Sequence, residues 1–370
     1  MEQIEDNGEL SLCKCNLNLD NQFGVGVEPG VYMRTEATIE EWNKLYEIAT
    51  RIKKLKPWEF LWDMDIFGIL TGDKREETVF YSVLGRGGSC IGISIYEGYE
   101  AFNSYMMLTM QERMNISVEY AMSNQKCMSC YWGAREELST KQREIISNLG
   151  YKFRGKNNWL YFMSYEPGYY PYNLDRNEVL RLAGHLENFQ LAFTYYLEKN
   201  IQIDFNKGNM FSFFISKDRE KWHFEEEPLP LTSFSFGNLI IEDEDLLAKL
   251  KKAPKRNAVL EMEVSPLGAS VTDKKYDRPA NPMLSGIVDA SSGMAISFEM
   301  NEPEEDSLVI LANSLIDLIF KYGLPREIRV SNVIVEAALE QICEICGIKL
   351  RRVKRLHAMD DFLNSMRKFR

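Results

Sequence analysis

Between residues 283 and 353 the chain repeats one pattern, and that pattern limits the fold more than anything else in it. Apolar strands over 283–288 and 295–300 flank the tight turn Ser291-Ser292-Gly293. A helix follows, capped near Asp306, with Leu311, Leu315, Leu318, Ile319 and Tyr322 on one face and Gly323 and Pro325 at its end. A short strand, "EIRV", leads to a second helix carrying Val335, Ala338, Leu339, Ile342, Cys343 and Cys346. Gly347 stops it, and "IKLRRV" is the last strand. Strands alternating with helices predict an α/β sheet with some parallel pairing.

The first half reads differently. Residues 1–35 mix Asn, Gly and Pro without periodicity and are expected to be an irregular extension. Residues 36–126 are expected to form an α+β domain. Its first helix opens on the capping box Thr38–Glu41 and buries Trp42, Leu45, Tyr46, Ala49 and Ile52. "WDMDIFGIL" is expected as a strand that puts Asp63 and Asp65 on one face, and Arg86-Gly87-Gly88 as a hairpin turn. Residues 127–225 are expected to be an aromatic-rich, helical extension of that half. Its long helix is capped by Asp175. Residues 226–282, which the run Glu225-Glu226-Glu227 leads into, read as a connector holding one short helix and the strand "AVLEMEV". Residues 283–370 close the chain as an α/β domain with a basic tail.

The chain has 370 residues and a net charge of −11, which excludes a protein that coats nucleic acid with its whole surface. A local basic face remains in Arg351, Arg352, Lys354 and Arg355. No apolar run reaches bilayer length, and "MEQIEDNGEL" has no apolar core of a secretory signal. The expectation is a cytoplasmic protein with reduced thiols and no membrane partner.

Groups that could carry chemistry are few. Histidines are limited to His185, His223 and His357, far apart in sequence, which argues against histidine-based catalysis. Asp289 ends a strand, as metal-binding aspartates often do, and Glu299 on the return strand is expected to face it. Asp360 and Asp361 could add further carboxylates. Cys127 and Cys130 have the spacing at which two thiolates hold zinc, and Cys13 and Cys15 could complete four ligands. The bland reading is structural thiols, which also suits Cys343 and Cys346 on an apolar helix face. Arg154 and Lys156 interleave with Trp159 and Tyr161, the mixture a peptide or single-stranded nucleic-acid site needs.

Two resemblances bear on the fold. The segments "EEWNKLYEIATRIKKLKPWEFLWDMDIFGI", "REELS", "RGKNNWLYF", "PGYYPYNL" and "VDASSGMAISFEMNEPEED" resemble an uncharacterised two-domain family of bacterial, clostridial or Firmicutes-type proteins. That resemblance implies no activity. Residues 283–356 are similar to the ribonuclease-H-like core of retroviral integrases and transposases. The likeness rests on "VDASSG", "YGLPREI", "RVSN" and "ICEICGI". It implies a ribonuclease-H-like domain with a mixed sheet, for which "AVLEMEV" would supply a third antiparallel strand. It also implies clustered carboxylates for divalent cations. Here the second such position is Ser331, which carries no charge.

The expectation is therefore a non-catalytic binding or scaffold protein on a degenerate ribonuclease-H-like domain. It would need no cofactor, and its partner would be a protein or peptide sooner than a nucleic acid. The alternatives are a metal-dependent nucleic-acid enzyme using Asp289 and Glu299, and a zinc-stabilised binding module.

Overall fold

The computed structural model describes residues 12–14, 34–216, 219–230 and 239–368. Most of the expected irregular extension, Cys15 included, lies outside them.

The N-terminal half is built on one seven-stranded sheet. In chain order it contains β1 (Leu12–Lys14), α1 (Ile39–Leu55), β2 (Phe67–Thr71), β3 (Val79–Leu84) and β4 (Gly92–Glu97). Then come α2 (Gly98–Met114), α3 (Val118–Ser123), β5 (Cys127–Gly133), α4 (Thr140–Asn148), β6 (Trp159–Tyr165), α5 (Arg176–Glu198), β7 (Asn209–Ile215) and β8 (Trp222–Pro228). The strand order is β6-β5-β4-β3-β2-β7-β8, with β2 and β7 parallel and the other pairs antiparallel. The Thr38–Glu41 and Asp175–Glu178 capping boxes open α1 and α5. Both helices bury their apolar faces on one side of the sheet, against Phe67, Phe162, Phe211 and Trp132. On the other side α2 packs Phe102 and Tyr105 against Phe80 and Tyr96.

This sheet corrects three expectations. Residues 127–225 are not a helical extension, because β5 to β8 belong to the same sheet as β2 to β4. The Glu225–Glu227 run is not a connector. It lies in edge strand β8, whose outer side tolerates charge. "WDMD" is a turn, in which the Asp65 carboxylate accepts from the Trp62 amide (2.8 Å), so Asp63 and Asp65 do not share a strand face.

The second half contains β9 (Leu239–Ile241), α6 (Glu244–Lys252), β10 (Val259–Pro266), β11 (Met283–Asp289), β12 (Ala295–Asn301), α7 (Ser307–Tyr322), β13 (Glu327–Val330), α8 (Val333–Cys346), β14 (Lys349–Arg352) and α9 (His357–Lys368). β9 pairs with β1, and the others form a five-stranded mixed sheet in the order β12-β11-β10-β13-β14. β10 runs antiparallel to β11 and parallel to β13, so "AVLEMEV" is the central strand. The boundary expected at 283 therefore moves upstream, because β11 has no sheet to join without β10. Leu260, Met262 and Val264 face the core under α7 and α8. On the opposite face Met359 of α9, with Leu356 just ahead of the helix, packs against Val288. The expected basic tail is thus a covering helix preceded by an edge strand.

The halves meet where Met114, Ile116 and Ala121 pack against Ile334. No described helix is long and apolar enough to cross a membrane.

Candidate functional site

A central strand has neighbours on both sides and helices on both faces, so a carboxylate on it must find partners. β10 carries two on its α9 face. Glu261 is buried, and its Oε2 accepts from the Met359 amide (2.9 Å) in the first turn of α9. That contact anchors the helix over the sheet, since a helix N-terminus favours negative charge. Glu263 lies two residues on, where β13 ends beside β10 and β10 runs on to Pro266. Asn332 Nδ2 donates to its Oε1 (2.8 Å), and the Ser331 hydroxyl donates to its Oε2. Asn332 also caps α8, its Oδ1 accepting from the Ile334 and Val335 amides (3.0 Å each). One loop thus starts a helix and holds a carboxyl.

Glu263 faces a cleft of ≈ 580 Å³ between the halves. The first half contributes Glu119, Tyr120 and Asn115, whose Nδ2 donates to the Ser331 carbonyl (2.5 Å). The second half adds Lys354, Arg355 and Asp360. Burial pushes the Glu263 carboxyl up to about 7, and the Asp360 charge adds to this. Hydrogen bonds from Ser331, Asn332 and the Val264 amide oppose it. Near neutral pH the site therefore holds a carboxyl that takes or releases a proton readily. Asp360 is paired with Arg355 (3.2 Å).

The cleft gathers Lys354, Arg355, Asp360 and Ser331 from the sequence reading, but not Asp289 or Glu299. Asp289 Oδ1 accepts from the Ser291 and Ser292 amides (3.1 and 2.8 Å) and from both hydroxyls. Those bonds hold its carboxyl below the usual range. Glu299 stands opposite Ser285, four residues back along β11, which is about 13 Å from Asp289 along the strand. It accepts from the Ser314 hydroxyl (2.7 Å). The expected pairing across the hairpin is therefore corrected by the register. Asp361 is exposed on α9.

The zinc alternative for the cysteines is corrected too. Cys127 and Cys130 lie within β5, three residues apart, and so point to opposite faces. Cys130 is buried in the main core and Cys127 packs beside Tyr96. Burial pushes the Cys127 thiol up to about 12 and raises Cys130 well above its usual value, whereas zinc binds thiolates. Cys13 lies on β1, and Cys15 falls outside the described residues. Among the described residues no group of three or more His, Cys, Asp and Glu could hold a metal ion.

The aromatic candidates are spread out. Arg154 and Lys156 are exposed, Trp159 packs on Phe153 and under Arg135, and Tyr161 stacks on Tyr131 and donates to Glu137 (2.8 Å). Arg351 and Arg352 lie exposed on edge strand β14, where Arg352 pairs with Glu336 (3.1 Å). Sequence reasoning missed Glu261 and Glu263. Their signal was two carboxylates at alternate positions in "AVLEMEV", legible only once that strand is known to be central.

No curated protein matches the chain. Two solved structures of the HTLV-2 integrase catalytic core domain in complex with magnesium are similar to part of it. The trimeric form is 17% identical over 30% of this chain and 68% of that one, with a TM-score of 0.23. The dimeric form is 18% identical over 32% and 74%, also with a TM-score of 0.23. A simian T-cell lymphotropic virus intasome in complex with PP2A regulatory subunit B56 gamma is 16% identical over 32% and 42%, with a TM-score of 0.22. Family models account for more of the chain. Residues 42–212 match Domain of unknown function (DUF7309), and residues 246–367 match Domain of unknown function (DUF6930). The chain thus carries two domains of unknown function, one for each large sheet.

Proposed function

We propose that this is a non-catalytic, cytoplasmic binding or scaffold protein whose second domain is a degenerate ribonuclease-H-like core. The strand order, with an antiparallel β10-β11-β12 meander followed by parallel β13 and β14, supports that fold. The observation that carries the function is the state of Glu263. Both of its oxygens are engaged by uncharged groups, Ser331 and Asn332, at the mouth of a cleft formed by both domains. The cleft sets Glu112, Glu119, Glu263 and Asp360 against Lys354 and Arg355. Mixed charge leaning acidic suits a peptide with basic side chains better than a phosphate backbone.

Selection of displayed peptides against the full chain tests this. Selected peptides should carry Lys or Arg and should bind at least tenfold more weakly to Glu119→Lys. An electrophoretic shift with single- and double-stranded DNA and RNA at two salt concentrations is the counter-test. Retardation at low salt that is lost at high salt would replace the peptide with a nucleic acid.

A metal-dependent enzyme is the second reading: Glu263 and Asp360 line the same cleft, and since no third such residue groups with them among the described residues, substrate would have to complete the ligand set. Manganese-dependent cleavage of a labelled oligonucleotide, abolished by Glu263→Ala, would establish it and overturn the first.

A further inference from the structure

The first domain carries a second hollow, on the sheet face away from α1 and α5. Register aligns three serines, followed by a methionine, in one row across the strands. Ser82 on β3 stands opposite Ser94 on β4, Ser94 opposite Ser129 on β5, and Ser129 opposite Met163 on β6. Residues two places along a strand share its face, and here they are tall. Tyr96 and Tyr165 rise on one side of the row, and Tyr131 and Tyr161 on the other. A short row between tall rows is a trough.

The surroundings keep it open. A Cβ at Gly92 would lie 2.6 Å from the Tyr131 ring, so glycine there lets the ring lie over β4. Tyr131 stacks on Tyr161, with centroids 5.2 Å apart, and its hydrogen bond with the Tyr165 hydroxyl (3.0 Å) crosses the row at Ser129, so the trough is open over Ser82 and Ser94. Tyr105 and Leu108 on α2 and Met122 on α3 form the far wall. The hollow measures ≈ 890 Å³. Packed protein interiors rarely leave voids larger than a water molecule, and ligand pockets commonly span roughly 300–1,000 Å³.

The chemistry of the lining limits the occupant. Burial raises the phenols of Tyr96, Tyr105, Tyr131 and Tyr165, so they stay protonated and neutral. Asp63, Glu137 and Lys156 line the hollow too, but all three are exposed at its rim. A charged group deep in the trough would lose water and find counter-charges only at the rim. Ring faces, a thioether and hydroxyls instead favour aromatic surface with a few polar edges.

We propose that this trough is a binding site for an uncharged aromatic small molecule, held among the tyrosine rings above Ser82 and Ser94. The proposal is independent of the inter-domain cleft.

The full-length protein is titrated with Nile red, a neutral aromatic dye, and with the anionic dye 1-anilinonaphthalene-8-sulfonate. Nile red should bind saturably at one site, at least tenfold more tightly than the anion. Ser94→Leu fills the trough and should weaken Nile red at least tenfold. Met122→Lys changes a wall residue that is 41% exposed, so it tests the site even if Ser94→Leu fails to fold, and it too should weaken binding. Phe298→Ser alters a separate exposed apolar patch and should leave binding unchanged. Non-saturable binding, equal affinity for the anion, indifference to Met122→Lys or loss with Phe298→Ser would each overturn the proposal.

Discussion

At the scale of single residues, Glu263 ties the cleft to pH. The folded protein raises its carboxyl to about 7 from an ordinary value of 4.5. Between those values the native state holds a proton that the unfolded chain has released, so stability falls as pH rises through the window. Below it both states are protonated, and the contribution is complete. The shift corresponds to at most about 3 kcal/mol, and to less because Glu263 is partly open to solvent. Glu263→Gln keeps an uncharged acceptor beside Ser331 and Asn332 without the charge. The variant should match the parent near pH 4.5 and exceed it in thermal midpoint at pH 8. A difference that does not change with pH would reject the assignment. Asp289 behaves as a turn residue. Removing the acceptor of two amides and two hydroxyls in Asp289→Ala should cost about 1 kcal/mol in denaturant unfolding. Peptide binding at the cleft should be untouched. The sequence made Asp289 conspicuous because it ends an apolar strand, while Glu263 was hidden in an alternating pattern that usually marks a solvated face.

At the scale of elements, β10 decides where the second domain starts. It forms ladders with both β11 and β13, so a fragment beginning at Met283 lacks the centre of its sheet. Residues 239–370 should give a cooperative unfolding transition, whereas residues 283–370 should remain unfolded by circular dichroism. Cooperative unfolding of the shorter piece would show that β10 is dispensable. Helices were the most legible elements, because a capping box and a 3.6-residue apolar stripe are local signals. Thr38, Ser139, Asp175 and Asp306 each cap the helix their neighbourhood implies. Sheet membership was the least legible. Nothing local in "CMSCYWG" or "WHFEEEP" says that these strands join β2 to β4, since strand pairing is set by partners distant in sequence. For the same reason the Cys127–Cys130 spacing suggested zinc, and placement inside a strand undoes it.

At the scale of the whole molecule, the excursion between β10 and β11 reaches out of its own domain and into the other. Arg278 on it lies against Asp277 (3.2 Å) and Glu178 of α5 (3.7 Å), and donates to the Ser164 hydroxyl of β6 (3.1 Å). Arg34 reaches the same Glu178 (2.6 Å) from the N-terminal side. The arginine side chains are only 9% and 10% exposed, so both guanidinium groups have given up water for these partners. Removing one member of such a set strands the others, which costs about 3–5 kcal/mol for buried pairs. Arg278→Ala should fall at the lower end, because Arg34 still faces Glu178 and Asp277. Lys275, on the same excursion, pairs with Glu302 where both side chains are about half exposed, and Lys275→Ala should leave stability nearly unchanged. If the cluster bolts the domains together, calorimetry will show one transition for the parent and for Lys275→Ala. Arg278→Ala should split it into two, because the excursion then couples the sheets only through the pairing of Pro279 to Asn281 with the first domain. Equal effects from the two substitutions would mean that the domains are held by their other contacts, such as Ile116 with Ile334 and Asn115 with the Ser331 carbonyl.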